Sequence, residues 1–167
     1  MSAPRLASTL PSGPAYTVVL ICHVAAVLVG IVAVVASGVA AARVLAARGG
    51  PLSSSVRTYF APGVNWAGRV LYLVPVFGVA LVELSHGVYP LSATWVLCGI
   101  GLWVSAMILA EGALWPAERR VQRALAATGT SEQILLDTAR ACRTVCLSAI
   151  GVLALLLTAM TVMLAKP

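Results

Sequence analysis

Residues 16–42 read YTVVLICHVAAVLVGIVAVVASGVAAA, and Arg43 follows directly. No charged side chain interrupts the run. As a helix rising ~1.5 Å per residue it is roughly 40 Å long, more than the ~30 Å hydrocarbon core of a bilayer, so it is expected to cross with tilt or to protrude. A secretory leader is the obvious rival, because SGVAAA at 37–42 has the small residues of a cleavage site. The run is too long for a leader's apolar region, and its basic residues follow it instead of preceding it.

Working outward, three more apolar stretches follow at about 67–85, 92–114 and 144–164. Of the eleven Lys and Arg residues, all but Arg5 and Lys166 fall in two of the gaps between stretches. Arg43, Arg48, Arg57 and Arg69 flank the first gap, and Arg119, Arg120, Arg123, Arg140 and Arg143 fill the third. Cationic loops stay cytoplasmic, so this partition gives both span number and orientation. The expected fold is an all-α integral membrane four-helix bundle, N-out/C-out. Residues 1–15 would be an irregular outer tail and 16–167 a single transmembrane domain.

The bulk composition agrees. The chain is 60% hydrophobic and 10% charged, with a mean hydropathy of +0.99, whereas a soluble domain is about 25% charged. The net charge of +6 belongs to two loops facing lipid headgroups, which predicts a bilayer partner and no nucleic acid. One Lys against ten Arg, with abundant Ala, Val and Gly, points to a GC-rich bacterium and hence a bacterial cytoplasmic membrane. The four cysteines Cys22, Cys98, Cys142 and Cys146 have no zinc or thioredoxin spacing and read as small apolar residues.

Local signals refine the outline. Gly49, Gly50, Pro51, Pro62 and Gly63 make 43–65 a cytoplasmic loop ending at an interfacial Trp66. Pro75 should kink the second span near Leu71, a defect tolerated where a neighbouring helix covers the freed carbonyl. His86–Leu91, with Gly87 and Pro90, reads as a tight outer hairpin, and Ser92 as the cap of the third span. Trp95 and Trp115 mark that span's two interfaces, before Pro116. Residues 117–127 read as a short amphipathic helix on the cytoplasmic surface, carrying Glu118, Arg119, Arg120 and Arg123. Thr130 and Gln133 have capping-box spacing and open a last helix, cytoplasmic to Arg143 and spanning from Thr144. There Asp137 and Arg140 can pair at i,i+3. Ala26 with Gly30, and Gly101 with Ser105, allow close helix approach.

Sidedness groups the residues that could carry chemistry. His23, Cys22, Cys98, Glu83, His86, Met160 and Met163 all map to the outer half. For His23 two readings stand. It is a neutral imidazole bonded to a carbonyl of a neighbouring helix, or it is a ligand to haem or copper. His86 is a solvated loop residue or a second ligand, with Glu83 one helical turn before it to accept its ring N–H. Met160 and Met163, three apart on one face, are packing residues or thioether donors for Cu(I). At the inner end Glu111 lies level with Arg69 and Arg143, which predicts a structural ion pair; a proton relay is the alternative. No nucleophile–base set or phosphate loop is present, so enzymatic activity is not expected.

The first-span segment LICHVAAVLVGIVAVV (20–35), with GVYPLSATWVLCGIGLW (87–103) and LWPAERRVQRAL (114–125), resembles a group of bacterial predicted integral membrane proteins of unknown function related to copper-resistance protein D. The resemblance implies a helical bundle with a histidine near the outer face of its first helix, here His23. It also implies copper or haem handling by some members. The favoured expectation is a small non-enzymatic membrane protein binding haem b or copper near its outer face through His23, with His86 supported by Glu83. The alternative is an accessory or assembly subunit of a larger membrane complex, or a homo-oligomer, without a cofactor of its own.

Overall fold

A computed structural model describes residues 11, 13–127 and 132–165 of the chain. Among them four helices are long and apolar enough to cross a membrane: Pro14–Ala47, Trp66–Leu84, Thr94–Ala126 and Glu132–Leu164. A short loop helix, Ser54–Tyr59, lies in the first connection, and no strand occurs among the described residues. The protein is an all-α, multi-pass four-helix bundle. The expected tail and the Thr130 cap fall largely outside the described residues.

The first, third and fourth helices have 34, 33 and 33 residues, against 19 for the second. At ~1.5 Å per residue the second just matches a ~30 Å apolar slab, while the others exceed it by ~20 Å. That excess carries Arg43, Arg119, Arg120, Arg123, Arg140 and Arg143. Beside it the loop helix packs back on the first helix and adds buried Val56 and Phe60 to the core that also holds Ala41, Ala117 and Val121.

Lipid tails are as apolar as leucine, so helix association in a bilayer rests on close packing and interhelical hydrogen bonds. The first helix therefore buries a stripe of small residues: Ala26, Gly30, Ala33, Ser37, Ala40 and Ala41, with Val34. It packs mainly on the fourth helix, which also covers the third. A Cβ at Gly38 would sit 3.3 Å from that of Ala149, which measures how close the two helices run.

The second helix packs on the other side of the first. Pro75 withholds the N–H that would reach Leu71, and a tight 3₁₀ turn at Val70–Tyr72 precedes it. The freed Leu71 carbonyl accepts the Trp103 indole N–H of the third helix at 3.1 Å. The Leu71 side chain, wholly buried, fills the notch over Gly30.

Three local expectations are corrected. The N-cap of the third span is Ala93, not Ser92, and no side chain caps it. Pro116 does not end that helix: a π turn at Ala110–Leu114, closed by Trp115 N–H to the Ala110 carbonyl, widens the helix where the proline ring would strike the turn before it. The amphipathic segment Trp115–Ala126 thus continues the third span directly. Trp115 is not interfacial but 4% exposed, whereas Trp66 is 75% exposed and free to anchor at a headgroup layer.

A Cβ at Gly30 would lie 2.3 Å from Leu71 Cδ2. Gly30→Val is expected to destabilise the bundle by about 1–3 kcal/mol through overpacking, read as a lowered unfolding midpoint in SDS titration of the micelle-bound protein. Ala154→Val, at an exposed position of the fourth helix, should leave the midpoint unchanged. Equal midpoints for both variants would contradict the close approach.

Candidate functional site

The most polar buried region lies at the arginine-rich end. Leu114, Glu118 and Val121 follow at i, i+4 and i+7, so they share one helix face. Leu114 and Val121 are wholly buried, and Glu118 goes in with them at 5% exposure. Arg119, Arg120 and Arg123 keep the outward side, and the carboxylate turns toward the first helix.

A buried carboxylate is costly unless it accepts hydrogen bonds. Glu118 Oε1 accepts from the Ser37 hydroxyl of the first helix and from Tyr59 Oη of the loop helix, the latter at 3.0 Å. The Ser37 and Tyr59 oxygens are themselves 2.5 Å apart. Asn65 donates Nδ2–H to Tyr59 Oη at 2.9 Å and caps the second helix by accepting from Gly68 N–H at 3.4 Å. Three segments distant in sequence are joined at one carboxylate, and Asn65 ties the start of the second helix to them through Tyr59. Burial and the adjacent Glu118 charge push the Tyr59 phenol well above its usual 10.

Beside this network Arg69 lies with its Cζ 3.7 Å from the Trp115 ring centroid, a cation–π contact. Its Nη1 reaches Glu111 Oε1 at 2.9 Å, and Tyr72 Oη donates to the same oxygen. Gly68 leaves room for the indole, since a Cβ there would lie 3.3 Å from Trp115 Nε1. Arg143 does not join this pair; it is exposed, with no side-chain partner among the described residues. Glu118, Asn65, Arg69 and Trp115 line a cavity of about 30 Å³. The cluster is a clamp between elements: hydroxyl donors and a guanidinium holding two carboxylates, without a nucleophile–base pair.

At the opposite end from the arginines His23 is half-buried, and its Nδ1 lies 3.0 Å from the Val74 carbonyl of the second helix. Its Cε1 comes within 3.5 Å of the Cβ position of Gly78. Donation from Nδ1–H fixes the tautomer and leaves the lone pair on Nε2. His86 is exposed in the turn after the second helix, in the left-handed region at φ 50°. Its backbone N–H bonds to the Glu83 carbonyl at 3.2 Å. The Glu83 carboxylate, also exposed, makes no hydrogen bond to the His86 ring. Met163 packs its methyl on Gly99 of the third helix, and Met160 is half-buried. All four cysteines are free; the Cys146 thiol lies 3.6 Å from the Gly38 carbonyl. Among the described residues no group of three or more His, Cys, Asp or Glu side chains converges as a metal would require.

Compared with protein-family models, curated proteins and solved structures, the chain has no significant match.

The residues that sequence reasoning overlooked are Glu118, Ser37, Tyr59 and Asn65. The 114–118–121 spacing was the available signal. Glu118→Ala removes the acceptor shared by the Ser37 and Tyr59 hydroxyls and is expected to cost about 1–3 kcal/mol of stability. Glu118→Gln, which keeps an acceptor oxygen, should cost less. The Tyr59 contribution is complete below the unfolded phenol's range near 10 and is lost as pH rises above it, because the folded state holds the proton longer. Tyr59→Phe should therefore flatten the alkaline fall in stability, followed by helical circular dichroism against pH.

Proposed function

We propose that this protein is a non-enzymatic, multi-pass component of a bacterial cytoplasmic membrane, arranged N-out/C-out, that serves as an accessory or assembly subunit. The carrying observation is the fate of the two small-residue pairs. Ala26 and Gly30 are used inside the bundle, whereas Gly101 and Ser105 face away from it. A Cβ at Gly101, or at Gly112 further along the same helix, meets nothing within 4 Å. Lipid does not need such a groove, but a second helix packing closely does. The Ser105 hydroxyl is bonded to the Gly101 carbonyl at 2.8 Å, so the face carries no stranded donor into the bilayer. The arginine partition supports the orientation, and the excess of Arg over Lys supports a bacterial source.

A second reading rests on His23. Its Nδ1 contact with Val74 leaves Nε2 to a metal, the orientation that ligating imidazoles commonly adopt. The likeness of residues 20–35 to the copper-resistance-D-like group supports it. One axial imidazole suits haem b, whose iron chemistry is supplied by the haem itself. Copper fits less well, since no convergent donor set accompanies His23 among the described residues.

Size-exclusion and cross-linking of the detergent-solubilised protein separate the readings. Gly101→Leu with Ser105→Leu is expected to abolish association with itself or with co-purifying membrane proteins while preserving helicity. Wild type that runs as a colourless monomer, unchanged by these substitutions, would sink the docking reading. A Soret band lost in His23→Ala would establish the haem reading in its place. A cysteine at Ser54 should resist membrane-impermeant maleimide added from outside; its modification would reverse the orientation.

A further inference from the structure

At the arginine-rich end, away from the Glu118 network, the third and fourth helices part to form a cleft of about 370 Å³, within the range of small-molecule sites. Arg120 and Ala124 line it from the third helix, and Asp137, Arg140, Ala141 and Thr144 from the fourth. We infer that this cleft binds the phosphodiester of an anionic phospholipid, with Arg120 and Arg140 as its two guanidinium clamps.

Three observations converge on this occupant. First, the two arginines come from different helices onto one cavity, and neither is held firmly by the protein. Arg120 forms no ion pair among the described residues, and Arg140 meets Asp137 only at 3.4 Å, with both side chains largely exposed. A guanidinium fork suits a phosphate oxygen pair better than a loose surface carboxylate. Second, the depth is that of a headgroup. Thr144, at the deep end of the cleft, follows the last arginine of the fourth helix, and no charged residue comes after it until Lys166. Third, the same helix continues below the cleft with Leu147 and Ile150 exposed at 71% and 65%, a strip along which an acyl chain can lie. The small side chains of Ala124 and Ala141 give the cleft its depth. Asp137, on the fourth helix one turn before Arg140, can accept a headgroup hydroxyl, and the two guanidiniums outweigh its single charge, so the lining as a whole favours a net-anionic lipid such as phosphatidylglycerol. Basic pockets between helices on the cytoplasmic side are suited to anionic headgroups, and the site is independent of any partner at Gly101.

Native mass spectrometry of the full chain in detergent, with phosphatidylglycerol and phosphatidylcholine at equal concentration, tests the site. Wild type should retain phosphatidylglycerol selectively. Arg120→Ala with Arg140→Ala should weaken that binding roughly tenfold. Arg43→Ala with Arg57→Ala, which removes the same charge elsewhere, should not. Ala124→Leu fills the cleft with all charges intact and should also expel the lipid. If the double variant loses its helical circular dichroism, Arg120→Gln and Ala124→Leu carry the test. Equal losses in both arginine pairs, no preference over phosphatidylcholine, or displacement of the lipid by millimolar inorganic phosphate alone would overturn the inference; the last outcome would assign the cleft to free phosphate.

Discussion

Leu71 is the joint on which the bundle depends. Its side chain occupies the notch that Gly30 leaves in the first helix, and its carbonyl takes the Trp103 indole of the third. Pro75 makes the second contact available by withholding the hydrogen bond that would normally use that carbonyl. One residue thus couples three helices, by shape on one side and by polarity on the other. In lipid this coupling matters more than apolar area, because an apolar side chain gains little by leaving hydrocarbon for a protein interior.

The same economy explains why the polar chemistry gathers at one end. Three helices overshoot the hydrocarbon on the arginine side, and the short second helix leaves room that the loop helix fills. Only there does the fold gain a protein interior shielded from water but not bathed in lipid, where Glu118 can be buried with Ser37 and Tyr59. At the opposite end, polar groups act singly: His23 ties to one carbonyl, and Ser85 Oγ steadies its turn by donating to Val82 and accepting from Tyr89 N–H.

Much of the architecture was legible in the sequence because it follows from bilayer physics. Span number came from apolar runs longer than the hydrocarbon thickness, and the Pro75 defect from backbone stereochemistry. The pairing of Arg69 with Glu111 followed from depth alone. What was not legible is what depends on rotation about a helix axis. Arg143 shares the depth of Glu111 but points elsewhere, and Glu118 sits among arginines yet faces inward. Gly101 and Ser105 have the same spacing as Ala26 and Gly30, and they turn to the opposite environment. Depth is written in the position of a residue along the chain, whereas azimuth emerges only when helices pack. That also separates the two histidines, which lie toward the same end of the bundle without sharing a contact.

The π turn at Ala110–Leu114 is where azimuth is reset. A wide turn takes in one residue more than an α turn, so everything beyond it is rotated by about 100° relative to an uninterrupted helix. The third helix therefore runs in two phases. Its first half turns Val96, Ala106 and Met107 into the bundle, and its second half aims Trp115 at Arg69, Glu118 at Ser37 and Arg120 at the cleft beside the fourth helix. Losing Gly112 or Ala113 there would preserve every side chain of the cluster and leave the span apolar, yet swing all three out of alignment. The inner end is thus keyed to a one-residue offset, like a lock whose tumblers are intact but turned.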